Sequence, residues 1–362
     1  MTRPTLLTPY EGPHLALPNR VVMAPMTRGR ADDATGVPHP LTAVYYAQRA
    51  AAGLIVTEGL WPHVLGKGGP GIPGLVTDAQ VAGWREVTEA VHAAGGRIFA
   101  QLWHVGRMTH PLNLPGRATP LAPSAVRIEG EPIYTSRGYV EHVAPRAMTT
   151  AEAEAAVADF AAAARNAIRA GFDGVEVHGA NGYLIQQFLA ENTNRRTDRY
   201  GGSRNGRLRF ALDAVEAVAA EVGAGRVGLR ISPHNPENEI AEEDPQGTYR
   251  TLVDTLDPLG LAYLHVIERG AYGALADLRP RWSGTLIGNF NGPDPTTQKS
   301  GEVVVAAGLA DAFSFGRYFI ANPDLPHRFA TGAPLARPIE SLIYGGGAEG
   351  YTDYPAAPVP TA

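Results

Sequence analysis

Three residues with types and spacing suited to carbonyl chemistry lie at the end of a predicted strand at residues 172–177. His178 and Asn181 are three residues apart, so first-turn geometry can bring both side chains to one face. Two N–H donors that converge on one oxygen stabilise the charge of a developing enolate. The hydroxyl of Tyr183 can give a proton. The motif therefore suggests an electrophile with an acid beside it.

Structural roles and a metal site are the alternatives for this motif. His178 can be a buried, hydrogen-bonded histidine, and Tyr183 can be a packed loop aromatic. Zinc would need about three or four ligands, and the strand ends supply only Glu58 besides His178. His104 and His110 follow another predicted strand, but no spacing supports a site, so no metal is expected.

Two glycine-containing pairs, Gly288-Asn289 and Gly316-Arg317, end the last two predicted strands. Glycine lets backbone N–H groups approach an anion, and the guanidinium of Arg317 can form two hydrogen bonds to phosphate. An ordinary turn with a surface arginine is the alternative for Gly316-Arg317 alone. Together, at strand ends that often bind phosphate in barrels, the pairs predict a phosphate site.

Thr27, Gln101 and Arg230 end three further strands and supply two neutral hydrogen-bonding groups and one cation. Such groups suit a planar heterocycle with several donors and acceptors, such as an isoalloxazine ring. Gln101 would face the pyrimidine edge, Thr27 the O4 atom and Arg230 the N1/O2 side. Gln101 or Thr27 taken singly is better explained as a buried polar group with a hydrogen-bond partner.

The elements that position these residues are short apolar runs alternating with amphipathic segments. Strands are predicted at 20–24, 53–57, 97–102, 172–177, 226–231, 262–267, 285–288 and 312–315, and helices at 78–94, 150–170, 205–222 and 245–259. Thr149 and Glu152 form a capping box. Alternating strands and helices imply a parallel sheet, and eight units indicate an α/β fold, the (β/α)8 TIM barrel.

A doubly wound sheet is the rival fold, but no G-x-G-x-x-G motif follows the first strand. Long loops after strands 2 and 3, at 59–77 and 103–146, would lie at the mouth of a barrel, where active sites form. We expect one barrel domain over 1–362, with an N-terminal cap at 1–19, a strand 3 loop at 104–148 and a disordered tail at 356–362.

The composition excludes several classes of protein. The 362 residues include no cysteine, which rules out disulfides, thiolate metal sites, iron–sulfur clusters and a cysteine nucleophile. A formal net charge of −5 without a polybasic run argues against nucleic acid and against a membrane surface. No signal peptide and no apolar run of ~18 residues is visible, so we expect a cytoplasmic protein. We also expect a monomer or a homodimer.

Ten short segments, in order from about residue 6 to residue 355, carry a resemblance to a known family. They read VMAPMTR (22–28), TEG (57–59), QLWHVGR (101–107), GVEVHGANGYL (174–184), NRRTDRYGGS (194–203), LRISP (229–233), GNF (288–290), FGR (315–317), IANPDL (320–325) and YTDYP (351–355). As a set they resemble the old yellow enzymes, which are FMN-dependent barrel oxidoreductases.

The resemblance implies FMN across the barrel mouth. Its ring would be surrounded by Pro25, Met26, Thr27, Gly59, Gln101 and Arg230, its phosphate by Gly288, Asn289, Gly316 and Arg317, and its dimethylbenzene side by Tyr351. A nicotinamide, NADPH or NADH, would reduce the FMN and leave.

The resemblance also implies the substrate chemistry of an ene-reductase. An α,β-unsaturated aldehyde, ketone, imide or nitroalkene would enter the same site, with Trp103 and Tyr351 lining it. His178 and Asn181 would bind the substrate oxygen. Flavin N5 would deliver hydride to the β-carbon, and Tyr183 would protonate the α-carbon.

Two positions relate this chain to branches of the family. Thr27, together with the His178 and Asn181 pair, is typical of the branch named for the original yeast enzymes. Gly69 stands where the family usually has an aromatic, so the pocket would be wider, or filled by Trp61 or by a strand 3 loop residue. Residues 234–244 carry no motif that we could assign.

Three other functions are alternatives at this point. An enzyme like 2,4-dienoyl-CoA reductase would carry a cysteine-ligated cluster, and this chain has no cysteine. A cofactor-free barrel lyase or isomerase would need a base or nucleophile at a strand end, where only Glu58 and Glu268 are available. A flavin-binding protein without ene-reductase turnover would not need His178, Asn181 and Tyr183.

Overall fold

The computed structural model describes residues 5–270, 273–292 and 296–358. Its centre is a closed barrel of eight parallel strands that neighbour one another in chain order. The strands are β1 (Val21–Met23), β2 (Leu54–Leu60), β3 (Ile98–Leu102), β4 (Gly174–Gly179), β5 (Val227–Ile231), β6 (Tyr263–Glu268), β7 (Leu286–Phe290) and β8 (Ala312–Phe315). Because β8 pairs with β1, the barrel is closed and the predicted (β/α)8 fold is confirmed.

Helices follow the strands and cover the barrel. They are α1 (Leu41–Ala47), α2 (Asp78–Ala93), α3 (Thr150–Arg169), α4 (Leu184–Leu189), α5 (Arg204–Val222), α6 (Pro245–Leu256), α7 (Ala274–Leu278), α8 (Gln298–Ala306), α9 (Arg317–Ala321) and α10 (Leu325–Thr331). Every residue of β2, β3, β4 and β5 is buried, as expected for strands covered on both faces. No helix in the described part of the chain is long and apolar enough to span a membrane.

Side-chain caps set the starts of the long helices. Thr149 and Glu152 form the predicted capping box at α3, and Thr77 with Gln80 forms another at α2. The helix predicted at 245–259 is too long, since α6 ends at Leu256 and a 3₁₀ turn follows over Asp257–Leu259. Pro258, which lacks an N–H donor, accounts for the change.

Three strands extend two or three residues further than predicted. β2 continues to Leu60 instead of residue 57, β4 to Gly179 instead of 177, and β7 to Phe290 instead of 288. Polar and glycine residues beyond each apolar run still pair with a neighbouring strand, as Gly59 does with Gln101 and His178 with Arg230. Gly59 and His178 are therefore strand residues.

Short strand pairs lie outside the barrel. Tyr10–Glu11 and Ala16–Leu17 form a hairpin at the N-terminal end of the barrel, where Leu15 and Leu17 share an apolar cluster with Val22 and Leu54. Within the strand 3 loop, Leu121–Ala122 pairs with Arg146–Ala147, and Ile133–Thr135 forms a hairpin with Gly138–Val140.

The division of the chain stays a prediction. Residues 1–4 of the expected cap and 359–362 of the expected tail lie outside the described residues. A single domain over 1–362, disorder at 356–362, a cytoplasmic location and a monomeric or homodimeric state are likewise predictions.

Candidate active site

Two cavities open at the carboxyl ends of the strands and share Thr27 and Tyr344 in their walls. The polar cavity has a volume of about 320 Å³. Its lining includes seven predicted cofactor residues: Pro25, Met26, Thr27, Arg230, Asn289, Gly316 and Arg317. The aromatic cavity has a volume of about 550 Å³ and is lined by Trp103, Tyr134, Tyr139 and Tyr183, among others. The predicted residues of β1, β5, β7 and β8 therefore meet at one site.

Arg230 is held at the wall of the polar cavity by Asn289. Its Nη2 donates to Oδ1 of Asn289 at 3.3 Å, and Nδ2 of Asn289 donates to the main-chain oxygen of Ser314 at 3.0 Å. Nε of Arg230 has no hydrogen-bond partner within the described residues, although the side chain is only 6% exposed. A buried guanidinium N–H without an acceptor fits a negatively charged ligand atom.

Glu176, to which no role was assigned from the sequence, lies inside the barrel two residues before His178. Its carboxylate accepts hydrogen bonds from Nε2 of Gln101 (2.8 Å), Nδ1 of His265 (2.8 Å) and the hydroxyl of Tyr263 (3.1 Å). Burial alone would raise the pKa of Glu176, but the attraction and hydrogen bond of His265, together with Arg230 and Gln101, leave it lowered. Burial lowers the pKa of His265, against the attraction of Glu176, which raises it.

This network fixes the amide of Gln101. Because a carboxylate only accepts, the atom that faces Glu176 is Nε2, and Oε1 points to the other side of the amide. The sequence did carry a signal: Glu176 and His265 interrupt apolar strands, where a charged side chain needs partners.

His178 is buried and uncharged. The residue is 4% exposed, and its ring lies 5.3 Å from that of Tyr183 and 6.4 Å from that of Trp103, measured between centroids. Burial, and secondarily the charge of Arg230, lower the pKa of His178 to about 3. Nδ1 has no hydrogen-bond partner in the described chain. The imidazole is therefore a neutral hydrogen-bonding group throughout the physiological pH range.

Asn181 and Gly182 turn the chain sharply after β4. Asn181 has a left-handed backbone with φ 56°, which asparagine tolerates better than most residues. At Gly182, φ is 73° and a Cβ atom would lie 2.4 Å from the main-chain oxygen of Glu237, so only glycine fits. The turn places Asn181 in the wall of the polar cavity and Tyr183 in the wall of the aromatic cavity.

The hydroxyl of Tyr183 keeps its proton. Burial raises the pKa of Tyr183, and Glu237 and Tyr344 raise it further, against a hydrogen bond from Asn238 that lowers it. The ring packs edge-on against Trp103, with centroids 4.9 Å apart. His178, Asn181 and Tyr183 thus lie together at the end of β4, as expected from the sequence.

The strand 3 loop supplies part of the aromatic cavity. Tyr134 and Tyr139, 55% and 73% exposed, pair across the hairpin with centroids 5.3 Å apart. A Cβ atom at Gly69, which also lines the cavity, would meet only the main-chain oxygen of Tyr134, at 4.0 Å. Trp61 is 5% exposed and is not part of the lining. The space at Gly69 is therefore open and bordered by the strand 3 loop.

Several predicted residues lie outside both cavity walls. A Cβ atom at Gly59 would be 2.2 Å from the ring of Trp103, and one at Gly288 would be 2.9 Å from Phe313, so both glycines serve close packing. Tyr351 is fully buried and stacks on Tyr45, whereas Tyr344 lines both cavities. Gln101 and His178 are also absent from both linings, and contacts of these five residues with cofactor or substrate remain predictions.

The two carboxylates available to a cofactor-free enzyme are engaged elsewhere. Oε2 of Glu58 accepts from the main-chain N–H groups of Arg28 (3.0 Å) and Gly29 (3.1 Å). Oε2 of Glu268 accepts from the N–H of Leu275 at 2.9 Å. Neither carboxylate lines the polar or the aromatic cavity, which disfavours a base at either position.

Residues 342–351 are fastened to the loop after β1 by two arginines. Arg28 donates from Nε to the main-chain oxygen of Ile343 (3.0 Å) and from Nη2 to that of Gly350 (2.8 Å). Arg30 donates from Nη2 to the main-chain oxygen of Leu342 at 3.0 Å. Ile343 is thereby held in the wall of the polar cavity.

The barrel, with two cavities at the carboxyl ends of its strands, is the architecture expected of a flavin-dependent barrel oxidoreductase. Comparison with known proteins agrees: the model of the NADH:flavin oxidoreductase / NADH oxidase family matches residues 5–336. The chain belongs to this family, and within it to the old yellow enzymes. It is an NAD(P)H-dependent flavin oxidoreductase of the alkene reductase type, with FMN as cofactor.

Relatives of this chain include both curated proteins and solved structures. Flavin oxidoreductase hxnT of Emericella nidulans is 41% identical over 97% of each chain. 12-oxophytodienoate reductase 2 of Arabidopsis thaliana is 39% identical over 97% of this chain and 95% of its own. The structure of morphinone reductase in complex with tetrahydroNAD has a TM-score of 0.93 and 46% identity, covering 98% of both chains. The old yellow enzyme homologue from Zymomonas mobilis has a TM-score of 0.92 and 39% identity, covering 97% of this chain and 99% of the other.

Proposed function

We propose that this ene-reductase binds FMN in the polar cavity and an activated alkene beside it, with His178 and Asn181 on the substrate oxygen and Tyr183 as proton donor. The observation that carries the proposal is the position of these three side chains. All three follow one another at the end of β4: Asn181 lines the polar cavity, Tyr183 lines the aromatic cavity, and the His178 ring is buried beside those of Tyr183 and Trp103. The polar cavity is also lined by Arg230 and Arg317.

The residues of the polar cavity suit FMN. Pro25, Met26 and Thr27 would lie along the ring, and Arg230 would place its unpartnered Nε–H and its charge by N1/O2. Gly316 and Arg317 would hold the phosphate. When bound, FMN accepts two electrons from NADPH or NADH and passes a hydride to the β-carbon of the alkene.

His178 and Asn181 would act as the electrophile. Because burial keeps His178 neutral, it stabilises negative charge on the substrate oxygen by hydrogen bonding and does not act as a strong acid. An amide N–H of Asn181 would provide the second hydrogen bond. Each such donor is worth about 10²–10³ in rate when charge develops on the bound oxygen.

Tyr183 would supply the proton to the α-carbon. Its raised pKa keeps the hydroxyl protonated before the reaction. Proton transfer leaves a phenolate, which regains a proton from solvent. The hydrogen bond from Asn238 lowers the cost of that transient charge.

The aromatic cavity favours substrates with a bulky apolar part. Its volume of about 550 Å³, its tyrosine and tryptophan lining, and the open space at Gly69 support unsaturated aldehydes, ketones, imides or nitroalkenes that carry a large ring. Thr27 with the His178 and Asn181 pair supports membership of the yeast-type branch.

The test is the absorption spectrum of the purified protein, recorded before and after anaerobic NADPH and again after 2-cyclohexenone. Bleaching by NADPH followed by recovery with the enone supports the proposal. Bleaching without recovery would favour a flavoprotein that does not reduce enones. A protein that takes up no FMN would contradict the proposal and favour a cofactor-free barrel enzyme.

A further inference from the structure

Asn235 lies in the loop between β5 and α6, within the segment that carries no assigned motif. Its Oδ1 accepts hydrogen bonds from Nη1 of Arg269 at 2.9 Å and from the main-chain N–H of Glu237 at 3.2 Å. Both partners can only donate, so the accepting atom must be the amide oxygen. Nδ2 of Asn235 is therefore the atom directed at Asn181, where it donates to Oδ1 at 3.0 Å.

The same reasoning fixes the amide of Asn181. The atom that accepts from Asn235 must be Oδ1, so the NH2 group of Asn181 points to the other side. The backbone of Asn181 is held as well: its N–H donates to Oγ of Ser232 at 2.8 Å, and its carbonyl accepts from Nδ2 of Asn238 at 2.7 Å. Asn235 itself is 1% exposed, so water does not compete for these bonds.

We infer that Asn235, held by Arg269, is a positioning residue that presents the NH2 group of Asn181, and not its carbonyl oxygen, to the substrate oxygen. The inference rests on the proposed function, in which Asn181 binds that oxygen. With the Asn181 amide reversed, its NH2 group would face the NH2 group of Asn235 and the hydrogen bond would be lost. Arg269 also pairs with Glu237 at 2.9 Å, which fastens the loop that carries Asn235.

The substitution Asn235→Asp separates positioning from packing. A carboxylate has nearly the same size and still accepts from Arg269 and from the N–H of Glu237, but it cannot donate to Asn181. The Asn181 amide should then rotate and donate to the carboxylate. The probe is 4-chlorophenol, whose phenolate mimics an enolate, added to the oxidised FMN-loaded protein while long-wavelength charge-transfer absorbance is followed.

We expect Asn235→Asp to weaken phenolate binding about 10- to 100-fold, the effect of one hydrogen bond to a charged group. Arg269→Met, which frees the Asn235 amide to rotate, should cause a smaller loss in the same direction. FMN content should stay at the wild-type level in both variants, because neither residue lines the polar cavity.

Asn192→Asp is the matched control. Nδ2 of Asn192 donates to the main-chain oxygen of Glu239 at 2.7 Å and its Oδ1 accepts from the N–H of Ala241 at 3.0 Å, so it holds the same loop without touching Asn181. Phenolate binding by this variant should remain within about twofold of wild type. In an Asn181→Ala background, Asn235→Asp should cause no further loss, because it acts through Asn181.

The inference would be overturned if Asn235→Asp bound the phenolate with wild-type affinity. It would also be overturned if, with Asn181 already replaced by alanine, Asn235→Asp still weakened phenolate binding as much as it does in the wild-type protein. An equal loss of phenolate affinity in Asn192→Asp would show that Asn235 only supports the loop, which would also contradict the inference. The proposed function fails separately, if the reduced wild-type protein is not reoxidised by 2-cyclohexenone.

Discussion

Replacing Glu176 by glutamine should destabilise the barrel strongly, although the two side chains have the same shape. The carboxylate accepts three hydrogen bonds inside the barrel, from Gln101, Tyr263 and His265. An amide keeps one acceptor and turns an NH2 group towards at least one of these donors. One lost charge-assisted bond costs about 1.5–3 kcal/mol and one unsatisfied buried donor about 1–3 kcal/mol, so a loss of about 3–5 kcal/mol is expected.

Urea unfolding of wild type and Glu176→Gln, followed by circular dichroism, measures this effect. With an m-value of about 3 kcal/mol/M, the midpoint should fall by about 1–1.7 M. Glu221→Gln is the control, because Glu221 also accepts two hydrogen bonds, from Arg165, but at the surface. That variant should show a much smaller shift. Equal midpoints for the two variants would refute the account of the network.

The effect should also depend on pH. The pKa of Glu176 is lowered in the folded state, so its stabilisation is present above the unfolded value of 4.5 and is lost as the pH falls through the folded pKa. The difference in midpoint between wild type and Glu176→Gln should therefore be largest near neutral pH and shrink below about pH 4.5. A difference that grows on acidification would show that the side chain is protonated in the native protein.

Three further substitutions test the site. Tyr183→Phe should slow reoxidation of the flavin by an enone about 10²- to 10⁴-fold in stopped-flow experiments, and it should leave flavin reduction by NADPH nearly unchanged. Equal slowing of both half-reactions would contradict a proton-donor role. Arg230→Met should lower the flavin midpoint potential by about 30–60 mV or abolish FMN binding, and an unchanged potential would exclude charge stabilisation by Arg230. Gly69→Tyr should reduce kcat/KM for enones with large ring substituents about tenfold or more, because the added ring would fill the space that the substituent needs, and affect 2-cyclohexenone little. Equal effects on both substrates would place Gly69 outside the substrate pocket.

The sequence predicted the barrel because each strand is a short apolar run and each helix an amphipathic one, both of which are local patterns. It also predicted that Asn181 and Arg230 would lie at the ends of neighbouring strands, and both line the polar cavity, because the carboxyl ends of parallel strands lie at one face of a barrel. The ends of β2, β4 and β7 were wrong, because pairing beyond the apolar run depends on the neighbouring strand.

Other parts of the site depend on contacts between residues far apart in the chain. Asn235 meets Asn181 across 54 positions, and no local pattern indicates that the loop after β5 returns to the end of β4. Whether Tyr344 or Tyr351 reaches a cavity depends on the path of residues 342–351. That path is set by the buried side chains of Arg28 and Arg30, more than 300 positions earlier.

The attachment of residues 342–351 to Arg28 and Arg30 also orders events during synthesis. Ile343 and Tyr344 belong to the wall of the polar cavity, yet the ribosome makes them after all eight strands. A nascent chain can therefore assemble its barrel before the flavin site is whole, since chains fold as they emerge. FMN would be enclosed only after residue 351 has left the exit tunnel, which makes cofactor capture a late step of biogenesis.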